Sequence, residues 1–259
     1  MSGDVRTWGQ GPEPALLLHC SLAHSGAWDG VARALSDRMT MTAPDLIGHG
    51  RAPDWDRSQD LHDQTTAQVE GLLPDAPCHM IGHSFGATIA LRLAERHPAR
   101  VRTLTLIEPV LFAAVAQDAQ DAARATSADQ GEEDLPGSDA DLVAAARVFL
   151  KDWGGGTAYD DLPQAQQAYM SARMPLIAAS HRALHHDSAG LLPRLGQVTA
   201  PVLLMSGDAS PPVVEDILDR LAASIARSYR ARIARAGHML PITHPGPVAA
   251  EIAAHIRRG

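Results

Sequence analysis

The run Gly82-His83-Ser84-Phe85-Gly86 is the part of this chain best suited to chemistry. It fits the pattern G-x-S-x-G, which has mechanical meaning when a strand leads into it and a helix leaves it. Both are expected here. Cys78 to Gly82 reads as a short apolar strand, and the next stretch repeats apolar residues at Ile89, Ala90, Leu93 and Ala94 before Pro98 stops it. On such a turn the serine backbone is strained and its hydroxyl is thrown clear of the sheet. The residues two before and two after then come so close that glycine is favoured. The helix beginning beside Ser84 turns its N-terminal amides toward any developing negative charge. The chemistry implied is nucleophilic attack by Ser84.

Such a serine needs a base, and thirteen histidines compete for the role. Composition alone selects none of them. His181, His185 and His186 fall in one helical stretch, but no carboxylate motif accompanies them, so helix surface is the simpler reading than a metal site. His62, His79, His97, His244 and His255 have no motif around them. Cys20 and Cys78 make neither a CxxC nor a zinc-ligand cluster, and a reduced pair is simpler than a bridge. Lys151 is the single lysine, so there is no phosphate-loop Gly-Lys-Ser/Thr, and Schiff-base chemistry would rest on that residue alone.

A net charge of −8 repels a nucleic-acid backbone. No apolar run approaches the ~18 residues of a membrane span, and Met1 to Gln10 lacks the apolar core of a signal peptide. The expectation is a soluble cytoplasmic protein acting on a small molecule, with no nucleic-acid or membrane partner, no cofactor and no metal. The sequence does not indicate an oligomeric state.

The elements that must position Ser84 follow from the alternation of short apolar runs with amphipathic stretches, the pattern of a parallel sheet flanked by helices. Strands are expected at Ala15–His19, Met39–Ala43, Cys78–Gly82, Val101–Ile107, Pro201–Ser206 and Ser228–Ile233. Helices are expected from Ser25 (with Trp28, Val31, Ala32 and Leu35 on one face), over His62–Leu73, after Ser84 with Arg92, Glu95 and Arg96 facing water, over Val213–Ile225 and over Pro245–Arg257. The pattern changes after Pro109. Ala113 to Asp141 is poor in large apolar side chains and is expected to be mobile; helices over Asp139–Lys151 and Gln164–His186 follow, separated by three glycines. The organisation expected is a core of residues 1–109 and 191–259 interrupted by a helical cap of residues 110–190. Met170, Met174, Leu176, Ile177 and Leu184 would give that cap an apolar lining, or simply dock it on the core.

The chain as a whole resembles the α/β-hydrolase superfamily, in its serine hydrolase or esterase-like branch. Leu16-Leu17-Leu18-His19-Cys20-Ser21 followed by Ser25-Gly26-Ala27-Trp28 is similar to that family's strand, His-Gly-x loop and Trp-bearing helix, and Asp45-Leu46-Ile47-Gly48-His49-Gly50-Arg51 to its Asp-x-x-Gly-His-Gly loop. The resemblance implies an α/β fold with a mostly parallel central sheet and an inserted helical cap. It implies His238, in Ala236-Gly237-His238-Met239, as the base. It implies Asp208, in Met205-Ser206-Gly207-Asp208, as the acid, with Glu108 in Leu106-Ile107-Glu108-Pro109 as the alternative. Backbone N–H groups of Ser21 and Phe85 are the implied oxyanion hole, and His19, His49 and His83 shape the surrounding loops. Cys20 stands where the family usually has glycine, which puts the geometry of that loop in question, and nothing in the sequence activates it as a second nucleophile. The activity expected is hydrolysis of a carboxylic ester or thioester through an acyl-enzyme on Ser84, with a small-to-medium apolar substrate. C–C bond hydrolysis, lactone opening and perhydrolysis use the same triad, and a non-catalytic binding protein can keep the same fold.

Overall fold

The computed structural model describes residues 5–115 and 138–258. The strands are β1 (Val5–Trp8), β2 (Glu13–Leu18), β3 (Met39–Pro44), β4 (Cys78–His83), β5 (Val101–Ile107), β6 (Val202–Gly207) and β7 (Ser228–Ile233), with the apolar runs concentrated in β2, β4, β5 and β6. They make one sheet in the order β1-β3-β2-β4-β5-β6-β7, parallel throughout except for β1, which pairs antiparallel with β3. β4 and β6 are buried along their whole length, as strands covered on both faces must be. The sequence pattern anticipates six of these strands. It misses β1, whose four residues lie at the sheet edge with Arg6 and Thr7 exposed.

Two apolar layers sandwich the sheet. On one face α1 (Asp29–Leu35) and the closing helix α8 (Pro245–Ile256) bury Trp28, Val31, Leu35, Val248 and Ile252 against Leu17, Ile81, Ile107 and Leu203. On the other, α2 (Leu61–Glu70), α3 (Phe85–Arg96) and α7 (Pro212–Ser224) pack on Leu16, Met80, Leu104 and Leu204. Between β5 and β6 the chain inserts the helical cap: α4 (Asp139–Trp153), α5 (Gln164–Ser171) and α6 (Met174–His185). Ser138 and Asp141 close a capping box at the start of α4. The single helix expected over Gln164–His186 is broken at Ala172 and Arg173, because Pro175 fits only the first turn of a new helix. Most of the stretch expected to be mobile lies outside the described residues; within them, Phe112–Val115 forms one 3₁₀ turn.

The apolar residues expected to line the cap divide differently. Leu176 and Leu184 join the main core, while Met170 and Met174 bury with Leu22, Ala146, Leu150 and Tyr159, and Ile177 packs against them. They dock the cap. Among the described residues no helix is long and apolar enough to cross a membrane.

Charge patterning misreads one face of α3. Arg92 and Glu95 do not face water: α3 lies between the sheet, α2 and the 3₁₀ turn Leu192–Gln197, and both side chains are buried. Arg92 reaches the Nδ1 of His62 (2.9 Å) and an Asp63 carboxylate. Glu95 is fully enclosed 3.4 Å from Arg194, with neither oxygen accepting a hydrogen bond among the described residues. Burial pushes its carboxyl up to about 8. The folded chain thus holds a proton that the unfolded chain releases near 4.5, so this group favours folding at low pH and that contribution is lost as pH rises through 8. Thermal melts between pH 5.5 and 8.5 should show the wild type losing a few degrees more than Glu95→Gln over that range; parallel pH profiles would contradict the assignment.

Candidate active site

Ser84 links the end of β4 to the start of α3 with φ 55° and ψ −119°, a conformation costly for a residue with a Cβ. The flanking glycines are required by packing. A Cβ on Gly82 would sit 2.4 Å from the carbonyl oxygen of Gly86, and one on Gly86 would sit 2.4 Å from that of Leu18 and 2.5 Å from that of His19. The second contact matters beyond the turn itself: it seats the start of α3 directly on the loop that leaves β2. The first amides of α3, Phe85 included, have no partner one turn back in the helix and are available at its N-terminus.

The β2 loop has a defined orientation. Leu46 N–H donates to Nε2 of His19 (2.9 Å), which places the ring proton on Nδ1, and Nδ1–H donates to the carbonyl of Cys20 (2.8 Å). Ala23 N–H bonds the same carbonyl (3.3 Å). In a trans peptide the N–H points opposite to the C=O, so fixing the Cys20 carbonyl fixes the direction of the Ser21 N–H. Burial and the neighbouring His49 hold His19 down to about 3, so it stays neutral and keeps this tautomer. Cys20 itself takes a negative φ that accommodates its Cβ; the positive φ falls on Leu22 (59°). Burial pushes the Cys20 thiol up to about 12, leaving it protonated and non-nucleophilic.

His238 follows β7, and Nδ1–H donates to Oε2 of Glu108 at 2.7 Å, with both side chains almost entirely buried. Glu108 also departs from ordinary backbone geometry (φ 47°) directly after β5. Its Oε1 accepts from Gly207 N–H (2.8 Å) and from the Ser210 hydroxyl. Three donors on one buried carboxyl group satisfy its oxygens and fix the orientation of the ring it faces. His83, one residue before Ser84, donates Nε2–H to the carbonyl of His238 (2.8 Å), and the two rings lie 5.0 Å apart. The contact sets His238 against the residue that precedes Ser84, and with Nδ1–H on Glu108 the unprotonated nitrogen of the ring is Nε2.

Asp208 does not reach His238. It stands exposed one residue beyond β6, and its Oδ1 accepts the backbone N–H of Arg235 (2.6 Å), supporting a turn where Arg235 has φ 61°. The carboxylate on His238 is Glu108, launched from β5 across the tip of β6. β6 lies between β5 and β7, and the longer side chain of glutamate reaches past its end, where Gly207 N–H donates to it; Gly207 itself packs on the loop after β7, since a Cβ there would meet the Ala236 carbonyl oxygen at 2.1 Å.

The family profile described as the alpha/beta hydrolase fold matches residues 14–245. The chain belongs to this family. Among curated relatives, it is 30% identical over 252 residues to a pimeloyl-[acyl-carrier protein] methyl ester esterase of Methylococcus capsulatus, covering 93% of this chain and 92% of the relative. It is 29% identical to lipase LipV of Mycobacterium tuberculosis over the same shares of the two chains. Among solved structures, an enol-lactonase of Burkholderia xenovorans LB400 superposes with a TM-score of 0.73 at 20% identity, covering 98% of this chain and 96% of that one. The last similarity is one of fold.

In this α/β hydrolase the remaining histidines have other work. His49 bonds the Ile47 carbonyl, His62 and Thr88 share a contact, His79 meets Thr103, and His255 meets the Leu104 carbonyl. His181 and His185 stack at the end of α6, His185 stacks on Phe112, and Phe112 packs against Trp153, whose ring meets that of His238 edge to face with centroids 4.7 Å apart. No cluster suited to a metal ion occurs among the described residues. The sequence pattern singles out neither Trp153 nor the contact between His83 and His238. The His238 loop and the cap are remote from these residues in the chain, so only the fold joins them.

Proposed function

We propose that this chain is a serine hydrolase that cleaves a carboxylic ester or thioester through an acyl-enzyme on Ser84. The observation that carries the reading is the buried Glu108–His238 pair beside a strained serine whose helix is seated on the His19–Ser21 loop. Two relatives named as an esterase and a lipase support it.

In this mechanism Nε2 of His238 takes the Ser84 proton as Oγ attacks the carbonyl carbon, and Glu108 stabilises the imidazolium and holds its tautomer. The N–H groups of Phe85 and Ser21 bind the tetrahedral oxyanion. Collapse breaks the ester bond and the leaving alcohol or thiol takes the proton from His238. Water then attacks the acyl-enzyme by the same route and frees Ser84. Trp153 beside His238, with Phe112 packed on Trp153, favours a small-to-medium apolar group on the substrate. The core of residues 1–109 and 191–259 supplies the reacting groups and residues 110–190 the wall above them. Two buried free cysteines suit a reducing, cytoplasmic setting.

Labelling with a fluorophosphonate probe, followed by peptide mass analysis, tests the nucleophile. A panel of acyl esters and thioesters, with Ser84→Ala as the blank, tests the reaction. An adduct on Ser84 and turnover lost in the variant are expected. Folded protein that neither labels nor turns over any ester would turn the reading toward a binding protein on the same fold.

A further inference from the structure

The loop that carries Ser21 has no helix or strand of its own, and three side chains brace it against the Asp45–Arg51 loop. Two come from the core. His19 joins Leu46 N–H to the Cys20 carbonyl, and the Asp45 carboxylate accepts Ser25 N–H (2.7 Å) and Arg51 N–H (2.9 Å). The third comes from the cap. The hydroxyl of Tyr169, on α5, accepts Gly50 N–H (2.8 Å) and donates to the Ala23 carbonyl (2.9 Å). One oxygen thus spans both loops, two residues from Ser21.

We propose that Tyr169 is a positioning residue for ester hydrolysis, holding the oxyanion loop in register from the cap side. Its ring is fixed for the task. The Arg173 guanidinium lies over it at 3.6 Å, and Arg173 Nη1 returns a hydrogen bond to the Tyr169 carbonyl (3.2 Å). Gly50 can take its position only without a side chain, since a Cβ would overlap the Asp45 carboxylate. Leu22, beside Ser21, is buried in the cap cluster of Met170, Met174 and Leu150, so the loop is clamped by packing on one side and by the phenol on the other. Burial raises the phenol above its ordinary range, which keeps the proton that Ala23 receives.

An oxyanion donor contributes only when it lies at the position the charged oxygen takes in the transition state, so loosening this loop weakens the transition state more than the bound substrate. The inference rests on the serine-hydrolase reading and on Ser21 as a donor. Its test is Tyr169→Phe, which keeps the ring and its arginine and removes only the bridging oxygen. With p-nitrophenyl butyrate, kcat should fall about 10-fold with KM within about twofold. Affinity for a trifluoromethyl ketone, which forms a tetrahedral adduct on Ser84, should fall in the same proportion, and the melting temperature should move by no more than about 2–4 °C. Unchanged kcat, or a loss in KM alone with ketone affinity intact, would overturn the proposal while Ser84 labelling of the wild type left the hydrolase reading standing. Absence of both labelling and turnover in the wild type would overturn both.

Discussion

Glu108→Gln is expected to lower kcat about 10⁴-fold with little change in KM, while Asp208→Asn leaves kcat within about twofold. The first effect follows from the donors around the carboxylate. Gly207 N–H and the Ser210 hydroxyl occupy one oxygen, so the glutamine carbonyl takes that place and its NH₂ faces Nδ1 of His238. An NH₂ donates, and Nδ1 must then accept, which moves the ring proton to Nε2. The nitrogen that should receive the Ser84 proton is already occupied. The Asp208→Asn change, in contrast, still leaves a side-chain carbonyl to accept Arg235 N–H. Steady-state kinetics on the two variants, with mass-confirmed Ser84 labelling rates, decide the matter. A collapse in Asp208→Asn with Glu108→Gln active would refute the assignment.

The second large effect is expected from a single methyl group. Gly86→Ala would put its Cβ within 2.5 Å of two backbone carbonyl oxygens, those of Leu18 and His19. Neither is the end of a flexible side chain, so relief requires the start of α3 to back away from the loop leaving β2. That motion separates the Phe85 and Ser21 amides, and loss of one oxyanion donor typically costs about 10²–10³ in kcat. Overpacking of about 1–3 kcal/mol corresponds to a melting temperature lower by roughly 2–12 °C for a chain of this size. Gly246→Ala serves as the control, because a Cβ there meets open space. It should keep full activity and melt no lower than the wild type. Equal activity in both variants would mean that the tight seating is not needed for turnover.

Much of this arrangement was legible in the sequence because it rests on local constraints. A serine between two glycines, with an apolar strand before and an amphipathic helix after, can form only a narrow set of turns, and the structure places φ 55° there. Six strands are legible from the alternation of strand and helix patterns, most of them as apolar runs, with Ser228–Ile233 as a polar strand near the edge. β1 is not, because four residues at an edge with two side chains exposed carry almost no pattern. Arg92 and Glu95 were misread for a related reason: charge marks the solvent face only of a helix with one covered side, and α3 is covered on several. The choice between Asp208 and Glu108 is of another kind. Both stand at strand ends in the sequence, and what separates them is the distance across one intervening strand. That distance belongs to the sheet order β5-β6-β7, which no local pattern states. Tyr169 and Trp153 were invisible for the same reason, since their partners lie more than 80 residues away in the chain.

Lys151 is the only lysine, and it stands exposed on α4, two residues before the tryptophan that touches His238. Amine-directed coupling therefore meets one side-chain target, and that target sits on the cap. A dye attached there would report on the surroundings of Trp153 and His238 without the introduction of a cysteine. Immobilisation through the same amine would tether the protein by its cap, leaving the core to hang free of the support.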